Sequence, residues 1–115
     1  MIHKMDVIPS AYEMMRSGRK NYDLRLFDEE RSKLQVGDTI CFSNSENPEE
    51  NLSARVQQLL ISKNFKELYK KLPLLSCGYT EDNVAQAKPE DMEKFYSSDE
   101  QKYWGVVAIR YELLN

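Results

Sequence analysis

The stretch SGRKNYDLRL, residues 17–26, joins the end of a helix to a strand that carries charged side chains. Gly18 suits the left-handed conformation that commonly ends a helix. Over residues 21–27 apolar and charged side chains then alternate, which is the period of a β-strand with one buried face. The pattern places Asp23 and Arg25 together on the other face. This stretch therefore predicts a helix end followed by a half-buried strand.

Lys20, Asp23 and Arg25 form a charged cluster in this stretch. Asp23 and Arg25 lie two positions apart on the strand, so their Cα atoms are about 7 Å apart. One interpretation is an ion-paired strand that faces solvent. The other is a binding site, in which the acid orients the two cations towards an anionic or polar ligand. The five donors of Arg25 would then suit a phosphate or a base edge. The residues alone leave both interpretations open.

Upstream of the cluster, the sequence predicts a strand and a short helix. Residues 3–9, HKMDVIP, alternate weakly and end at Pro9, which favours a short strand. Ser10 and Glu13 have the spacing of a capping box, in which each side chain binds a free amide at the helix start. A helix of about two turns is therefore expected to begin at Ser10 and to end at Gly18.

Downstream of the cluster, short elements alternate with turns. Residues 28–35 predict one or two helical turns, and residues 39–44, TICFSN, predict a strand. The acidic segment SENPEEN, residues 45–51, is expected to be a mobile loop. Residues 52–62, LSARVQQLLIS, predict a further strand.

A second helix is expected after this strand. Asn64 and Glu67 again have capping-box spacing, and apolar side chains recur at helical intervals over residues 65–72 until Pro73 stops the helix. Residues 64–72 are rich in lysine, so this helix would carry a basic face.

The last third of the chain contains one helix and one strand that can be predicted. Residues 89–97 favour a helix that starts at Pro89, and residues 103–114, YWGVVAIRYELL, are the most β-like run in the chain. Residues 73–88 fit no pattern. Strands outnumber helices and the helices lie in the connections, which predicts an α+β domain around a small, largely antiparallel sheet or barrel.

Length and composition limit the class of protein. With 115 residues the chain is expected to form one domain, residues 1–115. No apolar run reaches the roughly 20 residues of a membrane helix, and the N-terminus has no apolar signal core, so a cytoplasmic protein is expected. Cys41, Cys77 and His3 show no metal-ligand spacing, and neither a metal nor a cofactor is expected.

The charge of the chain argues against tight binding to long nucleic acid, because the net charge is −3. The charges are segregated, however: residues 53–72 are basic and residues 81–100 are acidic. Such runs are commonly solvated helix faces, but a local basic face could recognise one phosphate or a short strand.

The common catalytic signatures are missing from the sequence. It has no phosphate-binding Gly-rich loop, no GxSxG elbow and no HExxH motif, and a histidine dyad would have to use His3. Four aromatic residues could stack on bases: Tyr79, Tyr96, Tyr103 and Trp104.

The stretch SGRKNYDLRL resembles the GxKxxExR signature of the ASCH domains. Gly18, Lys20 and Arg25 are in register, and Asp23 occupies the place of the glutamate. The resemblance continues in VIPSAYEMMRSG, FDEERSKLQVGDTICFSN, FKELYKKLP and FYSSDEQKYWGVVAIRYELL, so it covers nearly the whole chain. The sequence is similar to the small bacterial single-domain members of the family.

The resemblance implies a PUA-like β-barrel with a cleft lined by Lys20, Asp23 and Arg25, and RNA or a nucleotide as partner. Arg19 would add charge at the rim of this cleft. Asp23 keeps the charge of the family's glutamate but is one methylene shorter, which would withdraw the carboxylate from a ligand.

The family also implies two enzymatic alternatives. Some small members act as amidohydrolases on N4-acetylcytidine or as ribonucleases, and here Lys20 and Asp23 would be the catalytic candidates. In the amidohydrolase pattern a threonine nucleophile follows the lysine by three positions, whereas this chain has Asp23 there, so a covalent route does not carry over. For a ribonuclease, no histidine lies near the cluster for proton transfer.

A regulatory protein-interaction domain is a further alternative. The basic helix within residues 64–72 distinguishes it from the others, because that helix should flank the cleft if the ligand is RNA or a nucleoside. The sequence leaves the oligomeric state open.

Overall fold

The computed structural model describes residues 1–114, which form one five-stranded sheet with helices in its connections. The strands are β1 Ile2–Val7, β2 Tyr22–Leu26, β3 Thr39–Asn44, β4 Asn47–Ser62 and β5 Val106–Leu113. The α-helices are α1 Pro9–Arg16, α2 Phe65–Tyr69 and α3 Ser98–Trp104. Short 3₁₀ turns occupy Arg31–Lys33, Leu74–Ser76, Val84–Gln86 and Pro89–Lys94.

The sheet is mixed and has the strand order β1-β3-β4-β5-β2. The β1–β3 pair is parallel, and the other three pairs are antiparallel. A register shift between Val56 and Gln58 interrupts the β4–β5 ladder, and such irregularities bend a strand. The sheet curls into a half-barrel that brings its two edge strands, β1 and β2, near each other. A side chain bridges them, because Arg25 Nη2 on β2 donates to the Asp6 carbonyl on β1 at 2.8 Å.

Strand β5 lies between two hydrophobic cores. Val107 and Ile109 face a larger core inside the curl, together with Phe42 and Met15. Val106 and Ala108, on the opposite face, pack against α2. A strand covered on both faces needs a continuous apolar run, and this explains why β5 shows no alternation.

Several predicted elements are confirmed. An α+β fold with a largely antiparallel sheet is present, and residues 39–44 form β3 as predicted. Gly18, two residues after the end of α1, has a φ of 82°, the left-handed conformation expected there. Asn64 Oδ1 accepts from the Glu67 amide at 2.9 Å and so caps α2. None of the helices within residues 1–114 is long and apolar enough to cross a membrane.

The capping box predicted at Ser10 was wrong. Helix α1 begins one residue earlier, with Ile8 at the N-cap position and no side-chain cap. Pro9 explains the difference, because proline needs no amide partner and its fixed φ suits the first position of a helix. Pro9 therefore starts the helix rather than only ending β1.

The mobile loop predicted at residues 45–51 was also wrong. Strand β4 already begins at Asn47 and pairs with β3, so only two residues form the turn. Asn44 organises this turn, because its Oδ1 accepts from the Glu46 amide at 3.0 Å and its Nδ2 donates to Glu50 at 3.2 Å. The acidic residues of this segment are exposed side chains of a hairpin.

The C-terminal elements differ from the prediction in their type and their starts. Residues 89–94 form a 3₁₀ turn rather than an α-helix. The predicted strand at residue 103 begins only at Val106, because α3 occupies residues 98–104. Ser97 and Glu100 cap α3 reciprocally, with distances of 3.0 and 3.1 Å between amides and side chains. This capping box is visible in the sequence and was missed.

Gly105 makes the sharp turn from α3 into β5, and its replacement by alanine is expected to lower the free energy of unfolding by about 1–3 kcal/mol. The residue has a φ of 75°, and a Cβ there would lie 3.1 Å from the Ser62 carbonyl oxygen. Urea denaturation measures the loss. Gly37→Ala is the matched control, because Gly37 also has a positive φ but faces open space. Equal losses in the two variants would contradict a role for the Ser62 contact.

Candidate functional site

Lys20, Asp23 and Arg25 all line one cavity of about 500 Å³. The cavity lies across the gap between the edge strands β1 and β2. Its floor comes from β2 and from Lys20, two residues before it. One side comes from the end of β1 and the start of α1, and the opposite side comes from residues 77–96. Three of the four signature positions thus lie at one concave surface.

Asp23 and Arg25 form a largely buried ion pair, with 2.6 Å between Arg25 Nε and Asp23 Oδ2. Asp23 is 5% exposed, so β2 is covered on both faces, and the prediction of one solvent-facing side was wrong. Burial works against the Arg25 charge, but the Asp23 carboxylate outweighs it and raises the pKa of the guanidinium. The guanidinium therefore stays charged, and its bond to Asp23 fixes the orientation of the Arg25 fork.

Lys20 is held at the floor of the cavity and is 8% exposed. Its Nζ donates to the Cys77 carbonyl at 3.0 Å, and its own carbonyl accepts from the Tyr111 hydroxyl. Burial lowers the pKa of the Lys20 amine, against the opposing effect of Asp23. Two of its three N–H donors remain available to a ligand once the Cys77 bond is made.

The wall opposite β2 is organised by a chain of hydrogen bonds. The hydroxyls of Tyr69 and Tyr79 lie 2.8 Å apart, and the Tyr79 hydroxyl donates to Asp91 Oδ2 at 2.7 Å. The same carboxylate oxygen accepts from the Lys88 amide at 3.2 Å. The Tyr79 hydrogen bond lowers the pKa of the Asp91 carboxyl, so this group stays ionised on the wall.

Exposed side chains surround the mouth of the cavity. Phe95 is 52% exposed and lies beside the ring of Tyr96, with 6.4 Å between their centroids. Asn83, Gln86 and Lys94 are exposed lining residues as well. The mouth thus combines an aromatic surface with amide and amine donors.

The structure does not bring every predicted residue to the cavity. Arg19 is exposed, its Nε donates to Ser17 Oγ at 3.0 Å, and it is absent from the cavity lining. His3 pairs with Asp38 at 2.9 Å, away from the cavity. Helix α2 borders the cavity through Tyr69, but neither its Lys66 nor the following Lys70 and Lys71 line it.

Only weak signals in the sequence pointed to the wall opposite β2. Tyr79 and Tyr96 were candidates for stacking and do line the cavity, whereas Tyr103 and Trp104 do not. Asp91 was not predicted, because residues 73–88 before it show neither helical nor strand periodicity. The one sequence feature that indicates it is its position three residues after Lys88, whose amide it caps. Across residues 1–114 no group of three or more His, Cys, Asp or Glu side chains is placed to hold a metal.

A curled, largely antiparallel sheet with a cavity across its edge strands, lined in part by charged side chains, places this protein among small half-barrel α+β domains. The particular family follows from comparison with known families. The family model for the ASCH domain matches residues 5–115, and the chain belongs to that family. ASCH domains are generally of an RNA-binding type.

Solved structures show the same fold. The crystal structure of hypothetical protein PH0355 has a TM-score of 0.81 at 26% identity, covering 99% of this chain and 100% of that one. Protein PF0455 from Pyrococcus furiosus has a TM-score of 0.74 at 26% identity, covering 100% and 99%. The ASCH protein from Zymomonas mobilis has a TM-score of 0.65 at 10% identity, covering 96% of this chain and 66% of that one, and shows the fold alone. A search of curated proteins gave no significant match.

Proposed function

We propose that this protein binds a nucleotide, free or within a short single-stranded RNA, in the cavity between β1 and β2. The observation that carries the proposal is the convergence of Lys20, Asp23 and Arg25 on one cavity in a member of the ASCH family. The cavity also has a suitable size, because small-molecule sites commonly enclose about 300–1,000 Å³.

The chemistry of the cavity suits a nucleotide. Phe95 and Tyr96 offer aromatic surface at the mouth, and stacking on such a surface accepts any base. Lys20 and Arg25 supply donors deeper in the cavity, and Asp23 supplies an acceptor for an amino group. With a net charge of −3 the chain is poorly suited to long duplexes, so recognition would depend on these few contacts.

Backbone NMR tests the proposal. Ribonucleosides, nucleotides and short RNA oligonucleotides added at low salt should shift the amides of residues 18–26 and 77–96, the two segments that supply most of the lining. The amides of residues 49–51, in β4 and outside the cavity lining, serve as the internal control. Unchanged shifts at the cavity for every ligand would contradict the proposal.

Phe95→Ala is expected to weaken ligand binding at least about 5-fold, because stacking of a base on an aromatic ring is worth about 1–3 kcal/mol. The melting temperature should change little, since this side chain is 52% exposed. Isothermal titration with the ligand found by NMR measures the effect. Tyr103→Ala is the control, because Tyr103 is 78% exposed and lies outside the cavity lining. An equal loss in both variants would count against stacking at Phe95.

We extend the proposal to the finer classification. The half-barrel would be of the PUA-like type, and the chain would come from the bacterial cytoplasm, as its resemblance to small single-domain members suggests. Superposition on PUA domains tests the first point: strands that fail to align in the same order would exclude it.

Hydrolysis of a modified nucleoside is the second candidate. The observation that favours it is a buried amine in the cavity, since burial lowers the pKa of Lys20 and a neutral amine can accept a proton. The Asp23 carboxylate, in contrast, is engaged by Arg25. Incubation with N4-acetylcytidine and related acylated nucleosides tests this candidate, and activity must disappear in Lys20→Met. Absence of turnover would remove it.

The protein-interaction alternative depended on whether a basic helix flanks the cleft. Helix α2 does border the cavity, but through Tyr69 rather than through the lysines of residues 64–72. The basic charge of that helix therefore does not support RNA binding, and the proposal depends on the cavity itself.

A further inference from the structure

The charges that line the cavity are balanced rather than positive. Three cations line it, namely Lys20, Arg25 and Lys94, and three carboxylates line it, namely Asp6, Asp23 and Asp91. A phosphate site usually presents cations or free backbone amides without facing carboxylates. The equal number of cations and carboxylates therefore affects whether the base or the phosphate of a nucleotide enters the cavity.

The two cations in the interior, Lys20 and Arg25, are already engaged by other groups of the protein. Arg25 donates from Nε to the Asp23 carboxylate and from Nη2 to the Asp6 carbonyl. Lys20 is desolvated and already donates to the Cys77 carbonyl. Lys94 is the remaining cation of the lining, and it lies exposed at the mouth.

The carboxylate of Asp91 is fixed on the wall and keeps one oxygen for a ligand. Its Oδ2 accepts from the Tyr79 hydroxyl and from the Lys88 amide. Within residues 1–114 its Oδ1 has no hydrogen-bond partner. A fixed, ionised oxygen repels a phosphate dianion and accepts a hydrogen bond from an N–H group. On the floor, one oxygen of Asp23, Oδ2, is likewise held by a donor, the Nε of Arg25.

We infer that the cavity admits an uncharged heterocyclic base carrying an N–H donor and excludes the phosphate, which stays in solvent outside the mouth, with Asp91 as the residue that selects between them. This inference rests on the proposed function, since it names the part of the nucleotide that this same cavity takes. The base would donate to a carboxylate oxygen and accept from Lys20 or Arg25, with Phe95 and Tyr96 against its face.

Two measurements test the inference. In the unmodified protein, inorganic phosphate up to about 10 mM, above the Kd of a weak specific site, should leave the amides of Lys20, Arg25 and Asp91 unshifted. A ribonucleoside should bind at least as tightly as its 5′-monophosphate. Saturable shifts with phosphate, or tighter binding of the monophosphate, would overturn the inference.

Asp91→Asn provides the matched variant, because an asparagine carbonyl can still accept from Tyr79 and Lys88. Loss of the negative charge should raise the affinity for the monophosphate, relative to the nucleoside, by about 5-fold at low salt. Asp82→Asn is the control, since Asp82 is exposed in the same segment and is absent from the lining. Equal ratios in the two variants would overturn the role of Asp91.

The outcomes separate this inference from the function on which it rests. If nucleotides bind in the cavity and phosphate alone also binds there, the proposed function stands and the inference fails. If no nucleoside, nucleotide or oligonucleotide shifts the cavity amides, both fail.

Discussion

Arg25→Met is expected to lower the free energy of unfolding by about 3–5 kcal/mol, because it leaves the Asp23 carboxylate buried without its partner. Asp23 is 5% exposed, and its side chain is held at 2.6 Å by Arg25 Nε. The substitution also removes the hydrogen bond from Arg25 to the Asp6 carbonyl, which joins β2 to β1. Urea denaturation followed by circular dichroism measures the loss.

Two further variants show whether the buried pair is the cause. Arg16→Met removes an exposed arginine that pairs with Glu13 at 2.7 Å, and it should leave stability nearly unchanged, since exposed ion pairs contribute little. The double variant Asp23→Asn with Arg25→Met should recover much of the loss, because no charge is then left unpaired. If Arg25→Met loses as little unfolding free energy as Arg16→Met, Asp23 is not a desolvated charge.

This expectation changes the interpretation of a binding experiment. Arg25 joins two edge strands of the half-barrel and also lines the cavity. Loss of ligand affinity in Arg25→Met would therefore follow from altered strand positions as well as from a lost contact. Lys20, which makes no ion pair within residues 1–114, is the better residue for testing contact with a ligand.

The sequence predicted the strand that carries the site but not its environment. Alternation over residues 21–27 correctly located β2, since side-chain period depends only on the local backbone. Burial of Asp23 depends on what covers the second face of β2, and residues 77–96 supply much of that cover. This segment forms short 3₁₀ turns, which have no long period by which to recognise them.

Two errors in the fold have opposite physical causes. At residues 45–51 polar composition predicted a loop, but pairing with β3 extended β4 to Asn47, so tertiary contacts overrode composition. At residues 98–104 the local signal was present, as Ser97 and Glu100 form a full capping box. The β-like composition from residue 103 onwards favoured a strand instead of this helix. The end of the helix at Gly105 depends on a positive φ, which composition does not reveal.

Lys20→Met is expected to abolish the contact with the ligand while leaving the fold as stable as before, or more stable. The side chain is 8% exposed, and methionine preserves most of its aliphatic length without a charge to desolvate. Loss of a hydrogen bond from a charged donor should weaken ligand binding by about 10-fold or more. Titration calorimetry measures the ligand affinity, and urea denaturation of the same preparations measures the stability. Lys66→Met is the control: Lys66 is exposed and lies outside the cavity lining, so its replacement should change neither the affinity nor the stability.

The pH dependence gives an independent test of the same residue. Burial lowers the pKa of Lys20 in the folded protein below its ordinary value of 10.5, so the cost of burying the charge is fully present below the folded pKa. Between the folded pKa and 10.5 the unfolded chain binds more protons, and the stability of the wild-type protein should rise with pH relative to Lys20→Met. The comparison with the variant is needed because burial raises the pKa of Cys77 to about 11 and raises that of Tyr79, and both effects lower stability at high pH. If the difference in unfolding free energy between the two proteins stays constant with pH, Lys20 is not a desolvated amine. A large loss of stability in Lys20→Met would show that the bond from Lys20 to the Cys77 carbonyl is a structural contact rather than part of a binding site.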